Sequence, residues 1–383
     1  MAEAVALRDV TIREGAQMPG REYGVEDRVA AARALDRLGL DAIQVGFPVV
    51  GETDREAVRR TAGSLEADVV ALARATVDDV EAALDAEADV IEVIVPTSDR
   101  QLEHVLGASR TAAMEMAGEA LDRARDGGAG VHLTLVDGFR TDPIDLADAV
   151  ETFPSVPTIT VADTVGARTP DRVRAIVADV LDRGVDGDRL GVHFHDDLGV
   201  AVANTLAAVD AGVTTADVSV AALGERAGNA ALERVVVADA VDGERRHPAG
   251  SRSATGDGSG QIAAAVDRGE LVPACEAVLD ALDESIDPRT PVLGSDVTTH
   301  ESGIHTAAML HDPGTFEPFD PAAFGGERRL VFGAGSGRGS AHALLDRAGI
   351  EPTDDRVARL LDLLAERGPL DADAATALVE SAF

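Results

Sequence analysis

The chain has 383 residues, 45% of them hydrophobic, which excludes a disordered protein and allows one large domain plus a smaller one. Every one of its 34 basic residues is arginine, set against 69 acidic residues, and the formal net charge of -35 excludes a nucleic-acid partner. Cys275 is the single cysteine, so neither an internal disulfide framework nor a cysteine-based zinc cluster is available.

No run of about 18 apolar residues occurs, so no membrane span is expected. The opening "MAEAVALRDV" has no basic segment followed by an apolar one, so no signal peptide is expected and the default location is cytoplasmic. An acidic surface of this size stays hydrated in concentrated salt, where its self-repulsion is screened. The composition therefore reads as that of a protein from a salt-rich cytosol.

Short apolar runs alternate with longer amphipathic ones from the N-terminus onward. "VALRDVTI" reads as strand one and "VEDRVAAARALDRLG" as its helix. "DAIQVGF" and "TDREAVRRTAG" form the second pair, "DVVALAR" and "TVDDVEAALDA" the third. "DVIEVIVP" is strand four, followed by one long helix over Ser98 to Asp126. "GVHLTLV" is strand five, with a helix over Pro143 to Thr152. "TITVADTVG" precedes "TPDRVRAIVADVLDRG", "RLGVHFH" precedes "GVAVANTLAAVDAG", and "TADVSVAAL" precedes "NAALERVVVADAV". Eight strand–helix units in about 245 residues predict an α/β fold, a (β/α)8 TIM barrel. The competing doubly wound sheet lacks its signature, since no GxGxxG follows the first strand.

The Gly/Ser/Pro-rich "HPAGSRSATGDGSG" marks the end of the barrel, giving a catalytic domain over 1–250 and a smaller, mainly helical region over 251–383. In that region "QIAAAVDRG" and "LVPACEAVLDALDES" read as helices, and "DPRTPVLGSDVTTHESGIH" as loop. Further helices are expected near Gly339–Gly349, near Asp354–Gly368 and over "DADAATALVESAF".

Barrel active sites gather at the C-terminal ends of the strands. The unusual polar residues fall there: Arg13 and Glu14 end strand one, Gln44 lies near the end of strand two, Asp163 and Thr164 end strand six, His193 and His195 end strand seven, and Glu225, Arg226 and Asn229 follow strand eight. On a strand, residues i and i+2 share a face, so both imidazoles can reach one ion. Glu14 on the neighbouring strand adds an oxygen. Two nitrogens plus oxygens suit Zn, Mn, Co or Fe, with Mg also accommodated. The plain alternative is two hydrogen-bonded histidines. Arg13 can clamp a carboxylate or a polarised carbonyl oxygen, or can form a structural ion pair with Glu14.

The segments "LRDVTIREGAQMPG", "VGFPVVGETDREAVRRTA", "ADTVGARTP", "HFHDDLGVAVANTLAAVDAG", "LGERAGNAALERVV" and "THESGIH" together resemble the homocitrate, 2-isopropylmalate and citramalate synthases. The resemblance runs to about residue 349 and implies a metal-dependent barrel that condenses acetyl-CoA with a 2-oxo acid. Carried over, Glu14, His193, His195 and Asn229 are the metal ligands, the metal being Mn, Zn, Co or Mg. Arg13 steadies the acceptor's keto oxygen. Glu225 with His300 or His305 serves acid/base chemistry, and Gln17, Arg140 and Thr164 line the acceptor pocket. The resemblance also implies a homodimer whose C-terminal region crosses to the partner barrel.

Glutamate at position 14 and "ADTVG" resemble the homocitrate branch, and with the expected lack of a regulatory domain they favour 2-oxoglutarate slightly as the acceptor, so a homocitrate synthase-like activity is expected, with 2-isopropylmalate or citramalate synthase as the alternative. "GFPV" and "HDDLG" resemble the isopropylmalate and citramalate branches. Arg140 and Arg168 are candidate cations for a far carboxylate, and Phe47, Val49 and Val50 a candidate apolar wall. Gln44, Val136, Asp196 and Ala221 depart from the usual family residues, as does "GAGSGRGS". Only about 35 residues follow Gly349, so no full leucine-sensing domain of the isopropylmalate type is expected. A related lyase acting on 3-hydroxy-3-methylglutaryl thioesters would need a cysteine-bearing loop at the barrel mouth. A metal-binding barrel without catalysis is the remaining alternative.

Overall fold

Eight parallel strands close into a barrel in the computed structural model, which describes residues 5–246, 261–262 and 265–383. In order they are β1 (Ala6–Asp9), β2 (Ala42–Gly46), β3 (Asp68–Arg74), β4 (Val90–Pro96), β5 (Gly130–Val136), β6 (Thr158–Asp163), β7 (Leu190–Phe194) and β8 (Thr215–Val218). Each pairs with the next, and β8 pairs back to β1 with Arg8 opposite Asp217. Helices cover the outside, so the strands are buried on both faces and read as near-continuous apolar runs. β3 shows this, with Val69 to Ala73 all buried between its exposed ends Asp68 and Arg74.

The chain departs from its sequence pattern in four places. Strand one stops at Asp9, because Asp9 accepts the Thr11 backbone N–H at 2.8 Å and the Thr11 hydroxyl at 2.7 Å. This side-chain turn competes with the ladder and starts a short helix, Thr11–Gly15, which carries Arg13 and Glu14. The long helix expected after β4 is two pieces. Gly107 takes a left-handed φ of 66° and ends the first, and the Ser109 hydroxyl caps the second, Arg110–Asp126. The expected loop before His305 contains a two-residue strand, Thr299–His300, and a helix, Gly303–Met309. Finally, "QIAAAVDRG" lies partly outside the described residues, and its described end is a 3-10 turn, Arg268–Glu270.

Two compact units result, Met1–Ser285 and Ile286–Phe383. The boundary expected at residue 250 falls outside the described residues. The helix Leu271–Ala281 belongs to the first unit and packs on the helix Val25–Asp36. The second unit has its own core, centred on Phe332, Leu344, Leu360, Leu364 and Val379. Around that core lie a small sheet of β9 (Thr299–His300), β10 (Arg329–Phe332) and β11 (Leu370–Asp371) and the helices Gly303–Met309, Arg338–Arg347, Asp354–Arg367 and Ala372–Ala382.

Candidate active site

His193 and His195 emerge side by side from β7, as their spacing demands. The Asp217 carboxylate lies 3.1 Å from His193 Nδ1, which assigns the ring proton to that nitrogen and leaves Nε2 with a free lone pair. His193 Nε2 sits 3.4 Å from His195 Nε2, 3.7 Å from Glu14 Oε1 and 3.1 Å from the Asn229 amide. All three side chains of the His193–His195–Glu14 group are buried, and their ligating atoms lie within 4.8 Å of one another.

Asn229 reaches this point because the loop after β8 is sewn onto β7. Asp196 N–H donates to Gly228 O at 2.8 Å, and Ala230 N–H donates to Phe194 O at 3.2 Å. The turn is tight enough that a side chain on Gly224 would come 1.9 Å from Asn229 Oδ1, and one on Gly228 would meet Ala222 O at 1.8 Å. Glycine is required at Gly228, where φ is 86° and the close atom is backbone, and at Gly224 a side chain would displace Asn229.

The residues fit a divalent cation on three counts. Glu14 Oε2, His195 Nδ1 and Asn229 Oδ1 are buried without a hydrogen-bond partner among the described residues, a cost that native interiors avoid unless a ligand meets the site. Burial pushes the His195 imidazole down to about 3, helped by the neighbouring His193, so it is the neutral ligand form. Burial opposes ionisation of Glu14. The Arg13 guanidinium outweighs it, and the carboxyl lies below its usual range. Turning the Asn229 amide over, an assignment set by bonding partners, aims its oxygen where the nitrogen now lies.

A cavity of about 200 Å³ opens beside this group, lined by Arg13, Glu14, Gln17, Phe47, Leu72, Glu92, Ile94, Thr134, Val136, Ala162, Thr164, His193, His195, Asp217 and Glu225. Arg13 donates to Glu14 and Gln44, and to Gln17 Oε1 at 3.3 Å. Gln44 Nε2 donates to Glu92 at 2.9 Å, and the Thr134 hydroxyl to the other Glu92 oxygen at 2.5 Å. Below lies Arg8, which donates to Asp217 at 2.8 Å and to Thr160 at 2.7 Å and sits 3.0 Å from His132 Nδ1. Its Nη1 is 3.6 Å from Glu92. Bonds from β1 to β5 and β6 cross the barrel interior, so one polar layer joins the two sides of the cavity.

Among the residues expected from sequence, Arg13, Glu14, Gln17, Thr164, His193, His195 and Glu225 share the cavity, and Asn229 reaches His193. Arg140 does not line it; its Nε and Nη2 donate to Asp137, at 2.7 and 2.6 Å. Arg168 donates to Phe139 O at 2.8 Å. Asp163 is consumed by the backbone N–H groups of Ala167 and Arg168. Phe47 is on the wall; Val49 and Val50 are not. His300 and His305 lie in the second unit with ring centroids 5.9 Å apart, and His305 stacks on Phe316 at 4.0 Å. Sequence reasoning missed Arg8, Glu92, His132 and Asp217. The available signal was a lone charged or imidazole side chain inside an otherwise apolar barrel strand.

Behind the loop after β8, the buried Glu233 carboxylate accepts the Ala221 N–H at 3.0 Å and so holds a turn in which Ala221 has a φ of 50°. Burial raises this carboxyl from 4.5 to about 7, and burial likewise raises Asp9 from 3.8 to about 7. Both groups bind protons more tightly folded than unfolded. Stability is therefore greatest below the unfolded values and falls as pH rises to about 7, by about 1.4 kcal/mol per pH unit for each group inside its window. Thermal melts across that range are expected to show the decline. Glu233→Gln, which keeps an acceptor for Ala221, is expected to make it shallower; an unchanged slope counts against this assignment.

A family model described as HMGL-like matches residues 4–253, and one described as homocitrate synthase post-HMGL domain-like matches residues 292–368. The chain belongs to the HMGL-like family. It is 37% identical to a "Probable 2-isopropylmalate synthase" of Methanopyrus kandleri, over 96% of this chain and 70% of that protein. It is also 36% identical to "Homocitrate synthase AksA" of the same organism, over 96% of this chain and 89% of the relative. Among solved structures, hydroxymethylglutaryl-CoA lyase from Pseudomonas aeruginosa is similar with a TM-score of 0.61 and 25% identity, over 74% of this chain and 95% of that one. The HMG-CoA lyase of Bacillus subtilis, at 20% identity and a TM-score of 0.60, shares the fold.

Proposed function

We propose that the chain condenses acetyl-CoA with a 2-oxo acid in a Claisen-type addition and releases CoA by hydrolysis, giving a 2-hydroxy dicarboxylate or tricarboxylate. Relatives named homocitrate, 2-isopropylmalate and citramalate synthase support the reaction class. The observation that carries it is the convergence of Glu14, His193 and His195 beside Arg13 at the mouth of the barrel.

Glu14, His193, His195 and Asn229 would hold a divalent cation, which when bound supplies Lewis acidity toward the acceptor's ketone oxygen. Arg13 is fixed through Nε on Gln44 and Nη1 on Glu14 and Gln17, so its Nη2 is free of these bonds and can donate to the same oxygen. Stabilisation there matters because negative charge gathers on that oxygen as the new bond forms. Glu225, at the cavity edge, accepts a proton from the acetyl methyl group, with His300 and His305 as further acid/base candidates. The carbon so exposed bonds to the ketone carbon, the ketone oxygen takes up a proton, and water cleaves the thioester. The resemblance implies a homodimer, and a cytoplasmic location is the default reading of the sequence; among the described residues no helix is long and apolar enough to cross a membrane.

The test is CoA release from acetyl-CoA with Mn, Zn, Co or Mg present, with and without a 2-oxo acid. Release that requires both metal and acceptor is expected. Acceptor-independent hydrolysis, or cleavage of a 3-hydroxy-3-methylglutaryl thioester instead, defeats the proposal. The lyase alternative has no thiol to draw on, since Cys275 is fully buried in the helix Leu271–Ala281.

A further inference from the structure

The far end of the acceptor must lie where the cavity runs away from the metal-binding group. Glu14, His193, His195 and Asp217 occupy the β1, β7 and β8 side. The opposite side is Leu72, Glu92, Ile94, Thr134 and Val136, from β3, β4 and β5. Three of these five are aliphatic. The polar atoms among them are the Glu92 carboxylate and the Thr134 hydroxyl, and that hydroxyl already donates to Glu92.

Among the described residues no cation is placed to receive a second carboxylate there. The sequence has no lysine, and among the described residues Arg13 is the single guanidinium lining the cavity, at the reacting end. Arg140 and Arg168 are tied to Asp137 and Phe139 O. Arg8 approaches Glu92 from behind, but it does not line the cavity, as Glu92 does, and is committed to Asp217, Thr160 and His132. An incoming group meets the carboxylate oxygens of Glu92, not the guanidinium that balances them.

We propose that Glu92 is a specificity-determining residue that selects 2-oxo acids with a short, uncharged far end and rejects those ending in a second carboxylate. The inference rests on the synthase reading for the identity of the acceptor site. Like charges brought together out of water are costly enough to supply discrimination of about a hundredfold or more. An apolar wall gives about ten- to two-hundredfold for one added methylene, a range that overlaps this one, so the size of the preference does not by itself assign it to charge. Glu92→Gln separates charge from size, because the amide has the shape of the carboxylate and retains an oxygen acceptor for Thr134.

The experiment measures binding as well as turnover. 2-Oxobutyrate and 2-oxoglutarate are titrated calorimetrically into the full chain loaded with Mn, and kcat/KM for CoA release is measured for the same pair. The wild type is expected to favour 2-oxobutyrate at least about a hundredfold in both readouts. Glu92→Gln is expected to narrow that ratio at least about tenfold, chiefly by improving 2-oxoglutarate. Wild-type preference for 2-oxoglutarate, or a ratio unmoved by the substitution, overturns the inference while leaving the synthase reading intact. Selective binding of 2-oxobutyrate without CoA release defeats the synthase reading and leaves the selectivity of Glu92 standing. Binding of neither acid overturns both. If Glu92→Gln does not fold, the wild type is compared on 2-oxoglutarate and the uncharged 2-oxohexanoate, which is of similar length: a preference for 2-oxohexanoate is expected, and equal use of the two overturns the inference.

Discussion

Alanine at His193 or at His195 is expected to cut CoA release about a thousandfold or more and to abolish tight binding of one equivalent of divalent metal. The magnitude follows from the several kcal/mol of charge stabilisation that a bound cation gives a developing alkoxide, at about 1.4 kcal/mol per tenfold in rate. The geometry makes the two histidines unequal in their support. His193 is oriented by Asp217, and Asp217 by Arg8, whereas His195 Nδ1 has no partner among the described residues. Asp217→Ala should therefore weaken metal binding about 10–100-fold without removing a ligand, the effect expected of a carboxylate behind a metal-bound imidazole. Titration with a metal-sensitive dye, alongside the rate, separates the two effects. Full activity of either histidine variant after exhaustive chelation would show that the group is two hydrogen-bonded imidazoles and no metal site.

The barrel was legible because a parallel sheet covered on both faces writes itself as short apolar runs separated by amphipathic helices. β3 to β8 follow that pattern closely. What the pattern could not convey was side-chain competition for the backbone. Asp9 pulls Thr11 out of the ladder, so Arg13 and Glu14 stand on a helix instead of a strand end. Gly107 and Ser109 likewise interrupt what periodicity alone reads as one helix. In both places a polar side chain or a left-handed residue decides the local structure, and such effects depend on one or two atoms.

The metal-binding group was legible from its position, since i and i+2 on a strand must face the same way. The acceptor pocket was not. Arg140 and Arg168 read equally as acceptor cations or as partners of the surplus carboxylates, and folding gives Arg140 the Asp137 carboxylate and Arg168 the Phe139 carbonyl. Conversely, Arg8, Glu92, His132 and Asp217 come from four separate strands and meet only when the barrel closes. Ala221 illustrates the same limit. It departs from the asparagine usual in the resembled family, and the structure gives the position a left-handed backbone that asparagine tolerates better than alanine. The Glu233 bond to its N–H helps to hold that strain.

Arg13→Ala is expected to lower kcat about 10²–10³-fold, the range for removing one pre-aimed donor from a developing oxyanion. KM for the 2-oxo acid should change much less, because charge on the ketone oxygen is small before the carbon–carbon bond forms. Arg13→Lys should rescue little of the loss. The native side chain divides its donors, with Nε on Gln44 and Nη1 on Glu14 and Gln17, and that division leaves Nη2 free of these bonds on a residue that lines the cavity. An ammonium has one nitrogen and cannot hold Gln44 and Glu14 while facing substrate. Metal affinity, measured alongside, distinguishes this role from one of merely holding Glu14 in place. If Arg13 acts on the oxyanion, the metal stays bound while kcat falls. If it only positions Glu14, metal affinity falls with the rate and added metal restores it. A raised KM with unchanged kcat would instead make Arg13 a ground-state binder of the acceptor and remove it from the chemical step.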